Sequence, residues 1–194
     1  MKVILNKLLK MVICAASLFL FLFLIFNSLK GFDITDESFY LLKIIHTNAY
    51  SDTLSFFGYY LSYLYQLCGS NIVIFRIAGI IQIFLLGTVF SFQIISLIEK
   101  RIIDNKLSFS DRMFIVSCLL IGISGYYYYY WLITPSYNWL SLFSILAIVS
   151  TYIAYDLNDT SSKNVLSLKL LVYSVLIAFF ANILLFSIAT AILP

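Results

Sequence analysis

The chain has 194 residues, of which 62% are apolar and only 11% charged, with a net charge of +3 and a mean hydropathy of +1.01. A water-soluble domain carries roughly 25% charged residues, and too little polar surface is present here to cover a sphere of this size. These values exclude a soluble globular domain and call for lipid as the covering medium. The lack of a Lys/Arg-rich run excludes a nucleic-acid patch.

Lys2, Lys7 and Lys10 precede an uncharged apolar run over residues 11–29. At about 1.5 Å of rise per residue this run crosses a bilayer core. It is too long for a signal-peptide core, and Asn27-Ser28-Leu29-Lys30 is a poor small-residue cleavage site. It reads as an uncleaved signal anchor.

Asp33, Asp36 and Glu37 come next, three of the nine acidic residues of the chain. Their spacing fits the first turn of a helix over about 36–46, where carboxylates cap free N–H groups and favour the dipole. Three acids exceed the need of one cap. Asp33 with Asp36, or Asp33 with Glu37, on one helix face would hold a divalent cation or act as a general base. Cap and functional site both stay open on these residues alone. His46, the single histidine, reads as a solvated loop residue.

The window 53–75 is uncharged, but it does not read as a span. If it crossed, Lys100, Arg101, Lys106 and Arg112 would lie opposite Lys2, Lys7 and Lys10, against the positive-inside bias. Ser51, Ser55, Ser62 and Gln66 recur near helical spacing, with Leu54, Phe57, Leu61 and Leu64 on the opposite face. This pattern predicts an amphipathic helix lying in the interface.

Arg76 and Glu99 bound the next apolar run. The uncharged window 113–155 is too long for one span, and Pro135 within Thr134-Pro135-Ser136-Tyr137-Asn138 divides it into two helices joined by a tight turn. Tyr126 to Tyr130, with Trp131, read as an aromatic belt. A last apolar run covers 170–194. Cys14, Cys68 and Cys118 are far apart and form no zinc pattern. Asn158-Asp159-Thr160 fits a glycosylation sequon but falls in an inner loop of this topology.

The reading is an all-α membrane protein, one membrane domain over residues 1–194. It has about five spans (11–29, 74–98, 113–133, 138–156 and 170–192) and an interfacial helix in an outer loop over 30–73. The N-terminus is inside, and the expected location is the cytoplasmic membrane.

The run Asp36-Glu37-Ser38-Phe39-Tyr40 resembles the Asp-Glu-x-x-Tyr signature in the first outer loop of GT-C-type membrane glycosyltransferases, such as the aminoarabinose transferases and protein mannosyltransferases. The order of the next segments is also similar: an aromatic stretch from Phe56 to Leu67, the pair Cys68-Gly69, a short variable stretch, and Arg76 opening the next span. The likeness covers about residues 8–100, with a weaker continuation to 155.

The resemblance implies transfer of a sugar from a polyprenyl-phosphate donor to an extracytoplasmic glycan, lipid or protein acceptor. Asp36 matches the family's catalytic aspartate, which deprotonates or orients the acceptor hydroxyl. Glu37 would support it or, with Asp36, help to hold a divalent cation. Tyr40, Lys43, Arg76 and Asn138 are the substrate-binding candidates. One departure is Ser51-Asp52-Thr53 where the family carries Lys-Pro-Pro, which leaves phosphate contact to Lys43 or Arg76. Arg76 has a fork suited to phosphate, although an interfacial anchor that snorkels is the favoured reading. Family members carry more than ten spans, so the expectation is the N-terminal part of a larger fold, inactive alone. The alternatives are a non-catalytic membrane subunit or assembly factor and, behind them, a small transporter.

Overall fold

A computed structural model describes residues 2–31, 36–47, 57–103, 105–130 and 132–157. The fifth span expected at 170–192, the residues Asp33, Ser51, Asp52, Thr53 and Trp131, and the sequon at 158–160 lie outside the described residues.

The described residues form helices and turns only. Helix α1 covers Lys2–Asn27, α2 Asp36–Ile45, α3 Phe57–Leu67, α4 Ile72–Ile98, α5 Phe109–Tyr130 and α6 Tyr137–Leu157. A π-helical turn, Glu99–Ile103, extends α4. Four of these helices, α1, α4, α5 and α6, are long and apolar enough to cross a membrane. Their outward faces keep large apolar side chains exposed, among them Phe19, Phe23, Leu85 and Tyr152. In water such a surface would drive aggregation; in a bilayer it is the contact face.

Helix α5 packs between α1 and α4, and α4 packs between α5 and α6. The short α2 and α3 pack on each other and cover the end of the bundle where α1 finishes and α4 begins. At 11 residues α3 is half the length that a span needs, as the interfacial reading of this window requires. Phe57 and Leu61 are buried and Leu64 is partly buried, whereas Tyr63 and Gln66 face outward.

The corner between α3 and α4 has a clear local cause. Gly69 and Ser70 adopt left-handed conformations, with φ of 65° and 55°. The Ser70 N–H donates to the Tyr65 carbonyl (3.0 Å) and the Gly69 N–H to that of Gln66 (2.9 Å), a Schellman ending that glycine favours. Asn71 then caps α4, its side chain accepting from the N–H groups of Val73 (2.9 Å) and Ile74 (3.2 Å). This cap starts the helix two residues before the expected position 74.

Within the apolar helices, several hydroxyl groups are satisfied locally. Thr88, Ser91, Ser144 and Thr151 each donate to the carbonyl four residues earlier, which lipid surroundings favour. Ile44, Phe57, Leu61, Phe75, Ile83, Tyr127, Trp139 and Leu140 form the main core, at the α2–α3 end. A second cluster, Ile95, Val116 and Leu120, lies toward the other end.

Candidate functional site

Neighbouring helix residues point about 100° apart, and this turn separates the two acids that open α2. Asp36 is exposed, whereas Glu37 is 3% exposed and faces the bundle. One turn into α4, Arg76 donates from Nη2 (2.6 Å) and Nε (2.9 Å) to Glu37 Oε1. The Thr134 hydroxyl, from the turn between α5 and α6, donates to the same oxygen. Arg76 Nη1 donates to the carbonyls of Ser28 (3.1 Å) and Lys30 (2.8 Å) just past α1. A cation belongs there, because the last carbonyls of a helix are its negative end.

Arg76 therefore differs from the snorkelling anchor expected of it. It is 4% exposed and joins α1, α2, α4 and the α5–α6 turn. The reason is partner chemistry: with Glu37 and three backbone or hydroxyl acceptors at hand, its charge is satisfied inside the protein.

Tyr40 lies one turn below Asp36 on α2. Its ring meets those of Phe57 (5.9 Å) and Tyr137 (5.7 Å) edge-on. Burial pushes its hydroxyl well above the usual range; a hydrogen bond with Tyr137 and the charge of Asp36 add to this. Tyr40 is therefore a neutral hydrogen-bonding group at any physiological pH.

Lys43 lies a further turn along, three residues beyond Tyr40. It is buried, with its ammonium 4.2 Å from the centre of the Phe39 ring and 5.7 Å from that of Phe57. Burial lowers its pKa, and the aromatic faces offset part of that cost. Gly58 makes the arrangement possible: a Cβ there would stand 2.5 Å from the Lys43 carbonyl oxygen, so only glycine lets α3 approach α2 this closely.

Asn138 belongs to a different place. It lines a cavity of about 410 Å³ with Gly122, Tyr126, Tyr127 and Leu142, and neither Asp36 nor Arg76 borders that cavity. Its Nδ2 is buried with no hydrogen-bond partner among the described residues. The structure thus gathers Asp36, Glu37, Tyr40, Lys43 and Arg76 at one end, and leaves Asn138 on the α5–α6 side. His46 is exposed just past the end of α2. Tyr126, Tyr129 and Tyr130 are exposed, as a belt at the membrane surface would be, whereas Tyr127 is buried in the core with Tyr128 packed against it.

Oε1 of Glu37 is bound to Arg76 and Thr134, and the guanidinium repels a second cation at that oxygen. No group of three His, Cys, Asp or Glu side chains able to hold a metal occurs among the described residues. Two partners were not singled out from the sequence as site residues. Thr134 completes the Glu37 contact, and Tyr137 bonds Tyr40; their polar side chains next to Pro135 were the available signal. Comparison with known proteins adds no relative: no family model, no curated protein and no solved structure matches the chain.

Proposed function

We propose that this membrane protein carries the acceptor-activating part of a glycosyltransferase that uses a polyprenyl-phosphate sugar, with Asp36 as the general base. The observation that carries the reading is the division of labour on α2. Glu37 is locked inward by Arg76, and this holds the neighbouring Asp36 at the exposed first position of a short helix. A carboxylate in that position is accessible to an acceptor hydroxyl, while its helix is fixed to the bundle.

In this reading Asp36 takes the proton of the acceptor hydroxyl. The acceptor oxygen forms a bond to the anomeric carbon, and the bond to the carrier phosphate breaks, the phosphate leaving with the electron pair. Arg76 is committed to Glu37 and to carbonyls, so contact with the leaving phosphate falls to Lys43. Tyr40 orients the acceptor through its hydroxyl. The basic residues Lys7, Lys10, Lys100, Arg101, Lys106 and Arg112 cluster at the end opposite α2, which supports an inside N-terminus in the cytoplasmic membrane.

The test is sugar transfer from a lipid-linked donor by membranes carrying the full reading frame. Asp36→Asn should lower transfer by roughly 100-fold or more with unchanged protein level and thermal stability. Unchanged transfer would overturn the assignment and leave a non-catalytic subunit as the better reading.

A further inference from the structure

The end of the bundle opposite α2 holds a second site, unrelated to the transfer chemistry. Between the start of α1 and the start of α5 is a cavity of about 300 Å³ lined by Lys7, Lys10, Met11, Cys14, Ser110 and Met113. Cys14 and Met113 also line a groove of about 400 Å³ that runs on between α1, α4 and α5. The walls of the groove are apolar, including Phe21, Ile81, Phe84, Leu85 and Leu120. Leu18 (60%) and Leu85 (63%) are exposed along it, so it is open to the surrounding lipid.

The two spaces differ in chemistry in the way that a lipid does. Lys10 is held at the mouth by its ion pair with Asp111. Lys7 stands on the same face of α1, three residues earlier, and is exposed. Asp111 neutralises one of the two ammonium groups, so the mouth keeps a net positive charge. Ser110, in the first turn of α5, also lines the cavity, beside the positive end of that helix. Below the mouth, only apolar and small side chains continue.

We propose that this site holds an anionic glycerophospholipid of the adjoining leaflet, its phosphate at Lys7, Lys10 and Ser110 and one acyl chain in the groove between α1, α4 and α5. The inference rests on the bundle being in a membrane and stands whether or not Asp36 is catalytic. Basic pockets between spanning helices recognise anionic headgroups in this way, and each cation near the surface favours an anionic lipid by roughly fivefold.

The experiment uses the full chain in nanodiscs containing a trace of chain-spin-labelled phosphatidylglycerol or phosphatidylcholine. Electron spin resonance measures the motionally restricted fraction of each. The expected result is a preference for phosphatidylglycerol of roughly fivefold. Lys7→Gln should remove most of it. Ser110→Glu should do the same by placing a negative charge at the mouth, and it is compatible with folding because a carboxylate in the first turn of α5 favours the helix. Equal restriction of the two lipids by the unsubstituted protein would overturn the proposal. So would a preference that survives both substitutions. Thermal stabilisation by inorganic phosphate equal to that by phosphatidylglycerol would overturn it too, leaving a simple anion site.

Discussion

The two ends of the bundle use the same ion-pair chemistry in opposite ways. At the α2–α3 end the pair Glu37 and Arg76 is about 4% exposed on both sides and tied to further acceptors. At the other end, among the described residues, pairs are spread out: Lys10 with Asp111, Arg112 with Glu99, and Arg101 with Asp156. The last of these is 58% and 45% exposed. Burial decides what each pair does. The inner pair ties the first turn of α2 to the spanning helices, while Leu41 and Ile44 bury the rest of that helix. The outer pairs are more exposed, so water and salt screen them.

The largest test of this contrast is loss of one inner partner. Arg76→Leu leaves Glu37 buried without its counter-ion and should cost about 3–5 kcal/mol, read as a lower melting temperature in detergent and faster proteolysis of α2. If the loss is under about 1 kcal/mol, the two ends are equivalent and the contrast fails.

Close packing at the same end comes next. A Cβ on Gly79 would stand 2.5 Å from Pro135 Cγ, beside the Trp139 indole, which donates to the Gly79 carbonyl at 3.1 Å. Gly79→Ala should therefore cost about 1–3 kcal/mol in the same melting assay. At the far end Glu99→Gln weakens its pair with Arg112, whose side chains are 14% and 32% exposed. The expected cost is about 1 kcal/mol, reduced in high salt. Arg101→Gln should fall within about 0.5 kcal/mol of the unsubstituted protein.

Lys43 sharpens the comparison through pH. Its pKa is lowered from 10.5 by burial, so between the folded and the unfolded value the unfolded chain binds more protons. Stability from this group therefore rises as pH increases toward 10.5, and it is lower below the folded pKa, where a buried ammonium must be kept. Lys43→Met should remove this rise in a melting-temperature profile taken on the alkaline side.

Much of the backbone was legible because it obeys local rules. The acid-led segment expected at 36–46 is α2 at Asp36–Ile45, and the amphipathic stretch is α3 at Phe57–Leu67. Pro135 divides the long apolar window, with α5 ending at Tyr130 and α6 starting at Tyr137. The site was less legible because adjacent acids on a helix look alike in sequence. Which of Asp36 and Glu37 turns inward depends on Arg76, 39 residues away from Glu37, and on Thr134. The same distant partners turned Arg76 from a surface anchor into a buried clamp. Asn138, a substrate-binding candidate by the family likeness, sits in the first turn of α6 and lines the cavity beside Gly122 instead.

The clamp also imposes an order on biosynthesis. Glu37 and Arg76 are both present once α4 has left the ribosome, but Thr134 lies 97 residues beyond Glu37. Until the turn between α5 and α6 has been made, the nascent chain holds a charge pair that lacks its hydroxyl donor. The full set of partners around Glu37 therefore exists only after Thr134 has been synthesised.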